Sequence, residues 1–270
     1  MSASQTDITF LGNTPYERLK ALMTRLRQDC PWDSQQSFKT IAPYTIEEAY
    51  EVADAIERKD WPELEGELGD LLLQSVYHGA IGEEAGHFSF QSVVQKISDK
   101  MVDRHPHVFG DENRDKSAEQ QTRDWEAIKA AERATKAQQG TLDGVAQNLP
   151  ALLRAVKLQK RAARVGFDWP EIDQVLDKLQ EETRELIEAR DHKSHDEMVG
   201  EFGDLLFVMA NLARHLEIEP EEALRKTNAK FTARFEWIEA ALAQSDQRPE
   251  DSTLEEMDAL WNQAKHALNR

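Results

Sequence analysis

Eight carboxylates carry the spacing with the most chemical content in this sequence. Glu48, Glu51, Glu67 and Asp70 recur as Glu182, Glu185, Glu201 and Asp204, each displaced by 134 residues. Each set stands in the same frame, Glu-Glu-x-x-Glu followed by Glu-x-Gly-Asp-Leu-Leu. Within each half-set a spacing of three residues puts both acids on one face of a helix. The pairs 48/70 and 51/67 share the midpoint 59, and 182/204 and 185/201 share the midpoint 193. An antiparallel helical hairpin turning at either midpoint therefore sets four acids opposite one another. Like charges brought that close repel or raise each other's pKa. A hard divalent cation that takes oxygen ligands, Mg²⁺ or alternatively Mn²⁺, relieves the repulsion. All eight acids are thus candidate metal ligands, in two sites. Gly69 and Gly203 stand directly before the last acid of each set. A helical glycine costs about 1 kcal/mol, so a close approach of backbone, metal or substrate is expected there.

Blander explanations compete with this one. A single Glu-Glu-x-x-Glu is more simply a solvated helix face, but duplication together with hairpin symmetry argues against that. Thr45-Ile46-Glu47-Glu48 has the form of a capping box, which would make Glu48 a helix cap. The residue matching Thr45 in the second half is Leu179, which cannot cap, yet Glu182 is still present. Capping alone does not explain the pair.

Cations and aromatics are duplicated too. Lys100 and Arg104 parallel Lys230 and Arg234 at an offset of 130, and Trp125 and Lys129 parallel Trp261 and Lys265 at an offset of 136. Spacing i, i+4 aligns each pair on one helix face. Two cations beside a metal–carboxylate cluster suit a phosphate clamp, and a tryptophan can stack on any base. Core packing explains the tryptophans equally well, and a solvated face is the alternative for the cations. His105-Pro106-His107 reads as a structured turn in preference to a metal pair. Glu84-x-x-His87 is one ExxH motif where a di-iron bundle needs two. No P-loop, GxGxxG or GxSxG signature is present, which disfavours P-loop, Rossmann and serine-hydrolase chemistry.

The elements that must position these groups are helical. Ala49, Val52, Ala53 and Ile56 form one apolar stripe over residues 47–58, and Leu64, Leu68, Leu71, Leu72 and Val76 form another over 63–81. Lys59-Asp60-Trp61-Pro62 breaks them, with proline suited to the first turn of a new helix. Arg190 to Asp196 reads as the matching turn. The repeat is too long for a solenoid, so the expectation is an all-α fold of two tandem duplicated helical-bundle domains, 1–137 and 138–270. The boundary falls in the polar stretch 133–144. The whole chain has 270 residues, 40% hydrophobic and 31% charged, with only 12 Gly and 9 Pro, which disfavours a turn-rich β fold. Mean hydropathy is −0.68. No apolar run approaches the ~18 residues of a membrane span, and the N-terminus lacks a secretory pattern. The single Cys30 excludes an internal disulfide and a cysteine-rich zinc site. A cytoplasmic protein without membrane contact is expected. A net charge of −18 opposes nucleic-acid binding; a small polyanion needs metal ions or a local basic pocket.

Several stretches resemble the MazG nucleoside triphosphate pyrophosphohydrolase family. They are residues 30–52 (Cys-Pro-Trp-Asp through Ile-Glu-Glu-Ala-Tyr-Glu-Val), Glu67-Leu-Gly-Asp-Leu-Leu72, Arg104-His-Pro-His-Val-Phe109, Val165-Gly-Phe-Asp-Trp169 and residues 228–235. The likeness covers nearly the whole chain, tandem arrangement included. It implies all-α domains that form a homodimer, with Mg²⁺ on Glu48, Glu51, Glu67 and Asp70 and on Glu182, Glu185, Glu201 and Asp204. It further implies hydrolysis of NTPs and dNTPs to monophosphate and pyrophosphate with broad base tolerance. The carried-over nucleotide contacts are Lys230, Arg234, Trp261 and Lys265. Glu182 or Glu185 is expected to orient the water that attacks the α-phosphorus. In the tandem family the C-terminal domain usually carries turnover, and Lys157, Lys160, Arg161 and Arg164 crowd the helix entering it here. The first domain is then a weaker or regulatory copy. Two alternatives stay open: a non-catalytic metal-binding scaffold for a regulatory protein partner such as a GTPase, and a narrow house-cleaning enzyme for a damaged or dUTP-like nucleotide.

Overall fold

The computed structural model describes residues 12–111 and 140–268, with Asp115, Ser117, Gln120, Gln121, Asp124, Trp125 and Ile128 between them. Every regular element among the described residues is helical, and none is long and apolar enough to cross a membrane. The chain divides into two compact units, Met1–Lys129 and Ala130–Arg270. The boundary expected at 137/138 lies outside the described residues, as does Lys129.

The first unit contains α1 (Pro15–Asp29), a 3₁₀ turn (Asp33–Gln35), α2 (Phe38–Arg58), α3 (Trp61–Glu84), α4 (Phe90–Asp103) and the short α5 (Pro106–Phe109). The second contains α6 (Ala151–Ala163), α7 (Ile172–His192), α8 (His195–His215), α9 (Pro220–Ala243), a 3₁₀ turn (Pro249–Asp251) and α10 (Leu254–Leu268). In each unit the two long central helices, α2 with α3 and α7 with α8, form the dominant packed pair. The remaining helices pack around them: α1 and α4 on α3, and α6 on α8, with α9 on α6 and α10.

Local chemistry sets the hairpins. Helix α2 closes on Lys59 in the left-handed conformation at φ 57°, and the Asp60 side chain then caps α3 through Glu63 N, with Pro62 in its first turn. In the second unit Lys193 and Ser194 join the helices. Ser194 caps α8 reciprocally with Glu197. The two turns stand at the midpoints 59 and 193.

The capping alternative fails, and the expectation at the two glycines is corrected for the backbone. Helix α2 begins at Phe38, capped by a Ser37–Thr40 box, so Thr45 lies inside the helix and Glu48 is no capping residue. Thr45 Oγ1 instead meets His78 Nε2 at 3.1 Å. Among the described residues nothing comes within 4 Å of a Cβ built at Gly69 or Gly203, so no close approach of backbone accounts for either glycine. Gly79 does permit close contact: a Cβ there would come within 2.6 Å of Phe90 Cβ and force α3 and α4 apart.

The first core gathers Met23, Ile41, Val76, Tyr77, Ile81 and Phe90 under Leu19, Phe38, Leu73 and Ala80. The second holds Ala155, Val156 and Ala210 with Leu152 against them. Both cores seat the half of each hairpin that lies beyond the acids.

Candidate metal and phosphate site

The hairpins place the acids face to face. Ligand oxygens of Glu48, Glu67 and Asp70 lie within 4.8 Å of one another, and so do those of Glu182, Glu201 and Asp204. Glu51 and Glu185 stand outside these groups of three, Glu51 close enough to add its charge to Glu48 and Glu67 and Glu185 close enough to feel Glu182 and Glu201. Burial pushes the Glu48 carboxyl above its ordinary value, reinforced by the charges of Asp70 and Glu51. Burial likewise raises Glu67, with Glu51 adding to it. Glu185 is raised by burial and by Glu182, with Lys178 opposing. Clustered like charges have this effect when only each other is near. An all-carboxylate, hard-oxygen donor set of this compactness fits Mg²⁺ or Mn²⁺.

The two clusters differ in their cations. In the first, Glu48 accepts from Gln74 Nε2 at 3.3 Å. In the second, Lys178 Nζ lies 2.7 Å from Glu182 Oε1, and Lys193 Nζ lies 3.0 Å from Glu201 Oε1. Glu182 is only 5% exposed, so Lys178 supplies positive charge to a carboxylate that water barely reaches. Sequence reasoning missed both lysines. The signal was available, since Lys178 precedes Glu182 by four residues on the same helix face.

The expected nucleotide contacts assemble separately from the acids, on α9 and α10. Arg234 stands over the Trp261 ring at 5.4 Å, and Phe231 packs 5.3 Å from it on the same pair of helices. Lys265 donates to Asn262 Oδ1, and Lys230 is exposed on α9. The first unit repeats the motif, with Arg104 5.2 Å over Trp125. Both tryptophans are half-buried. His105 Nδ1 lies 2.6 Å from Met101 O, and its ring meets Trp125, which makes the His105–His107 segment a structural turn. Glu84, of the lone ExxH, is bound to Arg27 at 2.5 Å.

The family model of the MazG nucleotide pyrophosphohydrolase domain matches twice, over residues 36–109 and 171–238. These spans include both sets of four acids. A nucleoside triphosphate pyrophosphohydrolase of Escherichia coli (strain K12) is 48% identical over 254 residues, covering 92% of this chain and 96% of that protein. The Thermotoga maritima nucleoside triphosphate pyrophosphohydrolase/pyrophosphatase MazG is 39% identical over 252 residues, covering 93% and 95%. A Mycolicibacterium smegmatis nucleoside triphosphate pyrophosphohydrolase is 38% identical over 158 residues, 57% of this chain and 48% of that one.

Proposed function

This chain belongs to the MazG nucleotide pyrophosphohydrolase family, and on that premise we propose that it hydrolyses nucleoside triphosphates to the monophosphate and pyrophosphate. The observation that carries the reading is the cluster of three acids closed by each hairpin, Glu48, Glu67 and Asp70 in one and Glu182, Glu201 and Asp204 in the other, a donor set suited to the metal complex of a polyphosphate. Ribo- and deoxyribonucleotides with any base are its substrates. The second unit is the principal catalyst, and the first is a weaker or regulatory copy.

Glu182, Glu185, Glu201 and Asp204 would hold the cation, with Glu48, Glu51, Glu67 and Asp70 as the counterpart set. When bound, Mg²⁺ or Mn²⁺ screens the negative charge that builds on the leaving pyrophosphate. The residues divide the rest of the work. A water attacks the α-phosphorus, forming the new P–O bond as the bond to the bridging oxygen breaks. Glu185 takes the water's proton as the new bond forms. Glu182, held by Lys178, is less suited to that step and serves to orient. Lys230 and Arg234 bind phosphate oxygens, and Trp261 and Lys265 steady the nucleotide.

A homodimer accompanies this reading. Exposed apolar side chains on the hairpins support it, with Tyr50, Leu68 and Leu72 in the first unit and Ile187, Phe202 and Leu206 in the second. A cytoplasmic location and a regulatory protein partner complete the proposal. The test is product analysis on the four ribo- and four deoxyribonucleoside triphosphates with Mg²⁺. Broad release of pyrophosphate is expected. Turnover of one nucleotide alone would favour the house-cleaning specialist, and no turnover would favour the scaffold.

A further inference from the structure

The two hairpin turns carry a lysine at the same place and use it differently. Lys59 and Lys193 correspond in the register of the acids, at the offset of 134. Lys59 takes the left-handed conformation and makes no ion pair among the described residues. Its neighbour Arg58 serves that turn instead, bound to Asp54, Asp60 and Glu63, none of them in the acid cluster. Lys193 closes α7 in an extended conformation, at φ −114° and ψ 176°. Its Nζ crosses the turn to Glu201 Oε1 at 3.0 Å. The acids nearest to it besides Glu201 are Glu188 and Glu197, and Glu197 is engaged by Ser194 in the cap of α8.

Glu201 is one of the three acids whose oxygens gather within 4.8 Å. The same carboxylate is therefore claimed by a tethered ammonium and by the divalent cation that the cluster fits. Lysine suits an exchange of this kind, being a compact charge on a flexible stem. Lys178 divides its charge between Glu182 and Glu181, which stands outside the cluster. Lys193 makes no ion pair but that with Glu201 among the described residues.

A charge count shows what the lysine does once it is displaced. The three clustered acids, the fourth beside them and one divalent cation together leave two negative charges. That balance repels a polyphosphate, itself an anion, at short range. In the second unit Lys178 and Lys193 cancel the remainder. In the first unit no lysine or arginine pairs with Glu48, Glu51, Glu67 or Asp70 among the described residues, and the partner of Glu48 is the neutral Gln74. The second cluster can therefore take a metal and a polyphosphate together, whereas the first repels the polyphosphate.

We propose that Lys193 is a substrate-positioning residue of the second unit: its ammonium holds Glu201 in the free protein, yields that carboxylate to the divalent cation, and then binds the polyphosphate. The proposal rests on the nucleotide-hydrolase reading for the identity of the polyphosphate, while the exchange at Glu201 does not. The full chain carrying Asp70→Asn, which disables the first cluster, is titrated with Mn²⁺ by electron paramagnetic resonance. It is then titrated with inorganic pyrophosphate in saturating Mn²⁺ by calorimetry. Lys193→Met removes the competitor for Glu201 and should tighten Mn²⁺ about three- to tenfold. The same change should weaken pyrophosphate about tenfold or more and raise KM for nucleoside triphosphates in step, with kcat changed less. Lys193→Gln, equally uncharged, should behave alike whether or not the methionine variant folds. Lys193→Arg keeps the charge and should restore pyrophosphate binding, and Lys59→Met should change neither affinity. Loss of a merely structural ion pair would weaken both ligands, so the opposite signs carry the test. Mn²⁺ affinity unchanged or lowered in both uncharged variants, or pyrophosphate affinity equal to that of wild type, would overturn the proposal. Both shifts as predicted, with no triphosphate hydrolysed by wild type, would sink the proposed activity and leave the role of Lys193 standing.

Discussion

Replacing Lys178 by methionine separates a structural ion pair from a cation that shares its role with the metal. Lys178 Nζ lies 2.7 Å from Glu182 Oε1 and 2.8 Å from Glu181 Oε1. Methionine keeps the length and the helix propensity of lysine, so the change isolates the charge. Breaking a fully buried pair costs about 3–5 kcal/mol, and an exposed pair is worth about 0–1 kcal/mol. Glu182 is buried while the Lys178 side chain retains 30% of its exposure, so an intermediate loss of roughly 1.5–3 kcal/mol is expected. For a domain of this size that is a fall in Tm of roughly 5–10 °C. With Mg²⁺ present, Glu182 has another cation beside it, and the loss should shrink to under ~1 kcal/mol. Calorimetric melting of wild type and Lys178→Met, with and without Mg²⁺, reads this directly. An equal fall in Tm under both conditions, with Mg²⁺ stabilising wild type, would refute the shared-cation reasoning.

Gly203→Ala should stabilise the second unit by up to ~1 kcal/mol, because alanine is the better helix former and meets open space. Turnover should fall at the same time as the methyl enters the space beside Asp204; a melting curve paired with steady-state kinetics checks both. Burial presses the His78 pKa below its ordinary 6.5. The unfolded chain then binds the proton more readily, so stability of the first unit is full above pH 6.5 and declines as pH falls toward the folded-state value. Urea titrations across that range should lose this slope in His78→Gln. Arg27→Met should destabilise the first unit by roughly 1.5–3 kcal/mol, since Glu84 is half-exposed. The Arg27 side chain is 8% exposed, bound to Glu84 and to the carbonyls of Asp33 and Gln36; a denaturant midpoint within error of wild type would contradict the arrangement.

The acid clusters were legible in the sequence because they need only two periodicities, three residues along a helix and a mirrored count about a turn. Lys59–Asp60 and Lys193–Ser194 stand at those mirror points. The start of α2 was not legible, because the Thr45–Glu48 spacing imitates a cap while Ser37 and Thr40 make the real one. Lys178 was missed because the duplication was read through shared residues, and it faces Tyr44 in that alignment. The Arg234–Trp261 pair was visible as two aligned positions, but its ring contact depends on how α9 meets α10.

The central claim is tested most directly by resolving the phosphorus products of wild type, Glu51→Ala and Glu185→Ala given a nucleoside triphosphate and Mg²⁺. The account predicts monophosphate and pyrophosphate from wild type, most of that activity from Glu51→Ala, and a loss of at least a hundredfold in Glu185→Ala with its helical content intact. Nucleoside diphosphate and orthophosphate from wild type, or full turnover by Glu185→Ala, would contradict it.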